Sequence, residues 1–176
     1  MPATDGIRQL HEWAHASISL VLDHLSTFSA AGYQKELPGF GFSTLHKQVV
    51  HVFNCEGLWI HVMKGLPYVD RDTATCSDVA DARLLQQQVR RWTEEYLLGL
   101  SNQQLNSDAE LRFPDGDFAI RTPALVLHHV LTHAFHHKGQ TANMAVNWGI
   151  QCRTLTRTSS NEIEGMPLHR RSVKSG

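Results

Sequence analysis

The chain has 176 residues, 41% hydrophobic and 19% charged, which is enough for one domain with a sizeable core and short for two. Sixteen basic residues against seventeen acidic ones leave a formal charge of −1, so no global field draws the molecule toward nucleic acid or an anionic membrane. No uninterrupted apolar run approaches the ~20 residues of a membrane span. Three cysteines, Cys55, Cys76 and Cys152, stand far apart and lack a paired CxxC spacing, which argues for reduced thiols in a cytoplasm. The opening Met1-Pro-Ala-Thr-Asp-Gly has no basic stretch feeding an apolar one, so no signal peptide is expected.

Four long helices are predicted. The first covers about 6–29, with Ile7, Leu10, Ala14, Ile18, Val21, Leu22 and Leu25 at helical spacing. A breaker-rich loop around Leu37-Pro-Gly-Phe-Gly-Phe follows, and Ser43 is the expected cap of a second helix to about Lys64, stopped by Gly65 and Pro67. Ser77, with Asp78 behind it, is expected to open a third helix to about Leu100. Between 108 and 121, apolar Leu111, Phe113, Phe118 and Ile120 flank Pro114-Asp-Gly-Asp, a turn within a short hairpin or irregular loop. Thr122-Pro123, cap then proline at the first helical position, starts a fourth helix to about Trp148. The expected fold is therefore all-α: a four-helix bundle over 1–150, with 151–176 as a C-terminal tail. Nucleic-acid binding would rest on Arg153, Arg157, Arg170, Arg171 and Lys174 of that tail, charges that a solvated segment explains as well.

The chemistry concentrates in the fourth helix. Five of twelve histidines fall within 128–137, and His133 and His137 stand four apart on one face, with Cβ atoms roughly 5–6 Å apart. They share a stripe with Val126, Val130, Thr141 and Met144, an otherwise apolar and inward-facing seam. Two imidazoles on such a seam need partners, because an unsatisfied polar group in a core costs roughly 1–3 kcal/mol. One divalent ion shared with a third ligand meets that need. His51 on the second helix is the expected third ligand; the plainer alternative is a core histidine bonded to a backbone carbonyl. A rotated fourth helix would offer His129 in place of His137. Glu56, one turn beyond His51, is the candidate to orient a ligand ring, and Gln140 the candidate to line the pocket. His11 and His15 are expected on the surface or in local packing, and Cys55 as a packed structural thiol rather than a fourth ligand or nucleophile.

The segment Ser43-Thr-Leu-His-Lys-Gln-Val-Val-His51-Val-Phe-Asn-Cys-Glu56-Gly-Leu-Trp59, followed by Gly65, and the later His133-Ala-Phe-His-His137-Lys138-Gly139-Gln140 together resemble the DinB/YfiT-like proteins, over roughly residues 7–150. The second stretch follows the pattern H-x-x-x-H-[RK]-G-Q, with Lys138 where arginine is usual. The resemblance implies a four-helix bundle, commonly a homodimer, and a three-histidine site for zinc or nickel at His51, His133 and His137. It also implies a metal-dependent enzyme of thiol-dependent transferase or hydrolase type, working on a low-molecular-weight thiol and an electrophilic small molecule. The alternative is a non-catalytic metal-binding protein of the same fold acting in stress response.

Overall fold

A computed structural model of the chain describes residues 3–147. The expected tail from Gln151, with Cys152 and the basic residues beyond it, lies outside the described residues, as does the expected helix end at Trp148. Six helices and one hairpin follow in order: α1 (Thr4–Leu25), α2 (Ala30–Tyr33), α3 (Leu45–Met63), α4 (Val79–Leu98), α5 (Asn102–Leu105), β1 (Ala109–Arg112), β2 (Phe118–Arg121) and α6 (Pro123–Val146). The four long ones make an all-α bundle. α1 and α3 each pack against α4 and α6, which places α1 and α3 on one diagonal of the bundle.

Local chemistry sets the boundaries. Asp78 and Thr122 accept from the backbone amides of Asp81 and Leu125, and Pro123 fills the first turn of α6, where its missing N–H costs nothing. Two expected caps move by one residue. Thr44 rather than Ser43 caps α3, its side chain accepting from Lys47, and Asp78 rather than Ser77 caps α4. The first helix stops at Leu25, short of the expected end, because the Ser26 and Thr27 hydroxyls donate to the carbonyls of Asp23 and His24. α1 has no cap side chain of its own; the Asn102 carboxamide oxygen on α5 instead accepts from the amide and hydroxyl of Thr4, each at 2.7 Å.

The expected turn at Pro114-Asp-Gly-Asp closes an antiparallel hairpin that pairs Ala109 with Arg121 and Arg112 with Phe118. Gly116 supplies the left-handed backbone, φ 94°. Leu111 turns inward from this hairpin onto Val62, Val126 and Val130. A larger cluster around Leu22, Leu45, Phe53 and Val89 fills one end of the bundle, and Ile7, Ile60, Leu97 and Leu127 fill the other. The loop after α3 is tied back by Asn54, which donates to the carbonyl of Arg71 and accepts from its amide and from the Tyr68 hydroxyl. Tyr68 lies so close over α3 that a Cβ at position 57 would stand 2.7 Å from its oxygen, so glycine is required there. No described helix is long and apolar enough to cross a membrane.

Candidate metal centre

α3 and α6 are neighbours, and their seam brings His51 against the i,i+4 pair His133 and His137. One ligating atom from each of the three lies within 4.8 Å of the others. The Nε2 atoms of His51 and His133 are 3.0 Å apart, and ring centroids stand 4.9 Å (His51–His133), 4.7 Å (His51–His137) and 4.4 Å (His133–His137) apart. His137 is buried; His51 and His133 are half-buried, so the cluster opens toward solvent.

Electrostatics keep these rings neutral. Burial, then the neighbouring His137 and His129, lowers His133 to about 4, and burial with His51 and His136 lowers His137 to about 4. His51 shifts down for the same reasons, burial first and His133 second, with Asp70 acting in the opposite sense. A neutral imidazole keeps a lone pair on one nitrogen, the form in which histidine binds metal.

The orientation of His137 is fixed from α3. Its Nδ1–H donates to the Gln48 side-chain oxygen at 2.6 Å, and the Gln48 amide in turn donates to the Phe42 carbonyl at 3.0 Å. With the proton held on Nδ1, the Nε2 lone pair of His137 is free. The Phe42 ring stacks on His51 at 4.0 Å and meets His137 edge-on at 5.9 Å, forming an apolar wall on one side of the cluster. Gln140, half-buried and one turn beyond His137, works against its downward shift.

The structure brings together the three expected histidines and places the others elsewhere. His128, His129 and His136 are exposed; His129 packs edge-on against Trp59 at 5.7 Å instead of replacing His137. Cys55 is half-buried, and burial followed by the Glu56 charge raises its thiol to about 11, so it stays protonated.

Glu56 does not orient a ligand of this cluster. Five positions after His51 it lies roughly 140° around the helix and points into the bundle core rather than the α3–α6 seam. There its carboxylate accepts from His11 Nε2 at 2.9 Å, His15 Nε2 at 3.0 Å and the Thr93 hydroxyl at 2.6 Å. His11 and His15, expected on the surface or in local packing, are 2% and 1% exposed. Burial pushes the Glu56 carboxyl up, but the adjacent His15 and His11 outweigh it and leave the group well below the usual carboxylate range. The pattern carried a signal for this: Ile7, His11, Ala14 and Ile18 follow a 4-3-4 spacing, which places His11 on the stripe that α1 buries. Gln48, the second residue missed, is a polar side chain one turn before His51 and one turn after Leu45.

Among curated proteins, none matches the chain. The model of the DinB family matches residues 1–165. With nearly the whole length matched, the bundle formed as expected, and His-rich groups able to hold a divalent ion inside it, the chain belongs to the DinB family.

Proposed function

We propose that this chain is a metal-dependent enzyme whose ion is held by His51, His133 and His137. The observation that carries the reading is the convergence of three neutral imidazoles at one half-open seam, one of them fixed in its tautomer by Gln48. The donor set fits the group: three nitrogens from two helices, deprotonated at neutral pH, leave positions free on the solvent side, as catalytic rather than closed structural sites do. Zinc or nickel suits all-imidazole ligation.

A divalent ion at this place supplies Lewis acidity, lowering the pKa of a thiol or water so that its anion forms near neutral pH. The protein's own groups do the remaining work. Gln48 holds the His137 ring so that its free nitrogen faces His51 and His133. Phe42 covers the His51 ring and keeps water from that side. Gln140, one turn beyond His137 and half-buried, borders the same mouth and can donate to an arriving substrate. Cys55 remains a thiol and takes no nucleophilic part, so the attacking sulfur or oxygen comes from a small molecule. The substrates we propose are a low-molecular-weight thiol and an electrophile, in a transferase, with hydrolysis as the same chemistry when water replaces the thiol. A cytoplasmic homodimer completes the reading.

The test is turnover of wild type and His133→Ala across a panel of thiols and electrophiles, with and without zinc or nickel. Turnover that needs both metal and His133 supports the reading. Stoichiometric metal without transfer or hydrolysis would leave a metal-binding protein in place of an enzyme, and full turnover in His133→Ala would overturn the three-histidine site.

A further inference from the structure

We propose that the chain carries a second cation site, independent of the first, in which His11, His15 and Glu56 hold a divalent transition metal at the centre of the bundle. One ligand atom from each of these residues lies within 4.8 Å of the others. The two histidines are an i,i+4 pair on α1, and the carboxylate comes from α3 across the bundle diagonal. Thr93 on α4 places a hydroxyl 2.6 Å from the same carboxylate. Two imidazoles and one carboxylate are a donor set that divalent transition metals such as iron and zinc accept.

Charge is the first argument. Glu56 is 4% exposed and surrounded by donors that satisfy its oxygens. The two imidazoles and the Thr93 hydroxyl satisfy the carboxylate oxygens by hydrogen bonds, and a divalent ion among them would add a full counter-charge to an ionised carboxylate held in the core. No lysine or arginine forms an ion pair with Glu56 among the described residues. A proton on His15 would be a poor substitute, because its Nδ1 is buried without a hydrogen-bond partner and an imidazolium there would carry an unpaired charged N–H.

Spacing is the second argument. The nitrogen–oxygen separations are 2.9 Å for His11 and 3.0 Å for His15. Adjacent ligands of a six-coordinate ion with bonds of ~2.1 Å stand ~3.0 Å apart, whereas a tetrahedral ion spreads them to ~3.4 Å. At 2.9 Å and 3.0 Å the pairs are as close as adjacent ligands of a six-coordinate ion, a separation the His51–His133 pair shares. On one side a groove of about 300 Å³ lined by Arg8, Glu12, Arg90, Glu94 and Leu97 reaches the edge of His11, itself only 2% exposed. The Phe53 ring stacks on His15 at 6.4 Å, and an ion shared by the three residues would tie α1 to α3 across the core, a structural role.

The experiment counts metal per chain. Full-length wild type and His133→Ala are each refolded from denaturant with excess Co²⁺, so that burial does not bar entry, then desalted and analysed for cobalt. The expected result is about two ions per wild-type chain and about one per His133→Ala chain, the survivor lost when Glu56→Gln is added. A cobalt spectrum of His133→Ala with the weak absorption of six-coordinate Co²⁺ supports the donor set. One ion or fewer in wild type with none in His133→Ala overturns the proposal while leaving the three-histidine site standing. One ion in both proteins sustains the buried site and instead removes the first. If the doubly substituted chain keeps its ion, the site is not at Glu56 and the proposal falls. The first comparison needs no change in the core cluster, and the Glu56→Gln chain is read once circular dichroism shows it as helical as His133→Ala.

Discussion

Replacing Gln48 by leucine tests how the metal centre is organised, because the residue touches no ion and yet fixes one ligand. Gln48 is 0% exposed, accepts from His137 Nδ1 at 2.6 Å and donates to the Phe42 carbonyl at 3.0 Å. Leucine keeps the volume and removes both bonds. His137 then has a buried N–H without an acceptor, a loss of roughly 1–3 kcal/mol, and its ring is free to adopt the other tautomer. Loss of an orienting partner typically lowers metal affinity 10–100-fold, about 1.4–2.7 kcal/mol. Competition against a chromophoric chelator at neutral pH, with zinc and with nickel, measures the change directly. Gln48→Glu is the control: it keeps an acceptor for Nδ1–H and should bind at least as tightly as wild type. An affinity for Gln48→Leu within about twofold of wild type, or a Gln48→Glu as weak as Gln48→Leu, would refute the orienting role.

Acid should release the ion and loosen the metal-free fold together. His133 and His137 sit at about 4 in the folded protein against an ordinary 6.5, so the folded chain binds fewer protons between those values. Their contribution to stability is therefore full above 6.5 and is lost as pH falls toward 4. Thermal melts of chelator-treated protein should show Tm falling across that interval, and a flat Tm would contradict the shifts. Gly57→Ala should lose about 1 kcal/mol in urea unfolding, since the new Cβ displaces Tyr68 from Asn54; no loss would mean the close approach over α3 is absent in solution. Cys55→Ala should keep its full metal content by elemental analysis, and a substoichiometric ion there would make the thiol a ligand after all.

The parts of the fold visible in the sequence are those written in local chemistry. Thr122-Pro123 and the Pro114-Asp-Gly-Asp turn act within a few residues of themselves, and each sits where such chemistry would put it, while the cap of α4 falls one residue past the expected Ser77, at Asp78. The short α2 and α5 carry no period of their own; α5 is defined by a Ser101–Gln104 capping box and by the reach of Asn102 to Thr4, a partner 98 positions away. The same division runs through the candidate site. His133 and His137 announce themselves by spacing on one helix, whereas Gln48 and Glu56 owe their roles to which helix faces which. Glu56 followed His51 closely enough in the chain to look like its partner, yet the helical twist turned it toward α1, where His11 and His15 wait. A polar residue on an apolar stripe marks a need for a partner without naming it.

Elemental analysis of tag-free protein, wild type beside His133→Ala, bears most directly on the three-histidine site. After supply of zinc or nickel, wild type should retain one ion per chain more than His133→Ala, with both proteins equally helical by circular dichroism. Equal zinc or nickel in the two proteins, or none in either, would mean that His51, His133 and His137 meet only as packing partners.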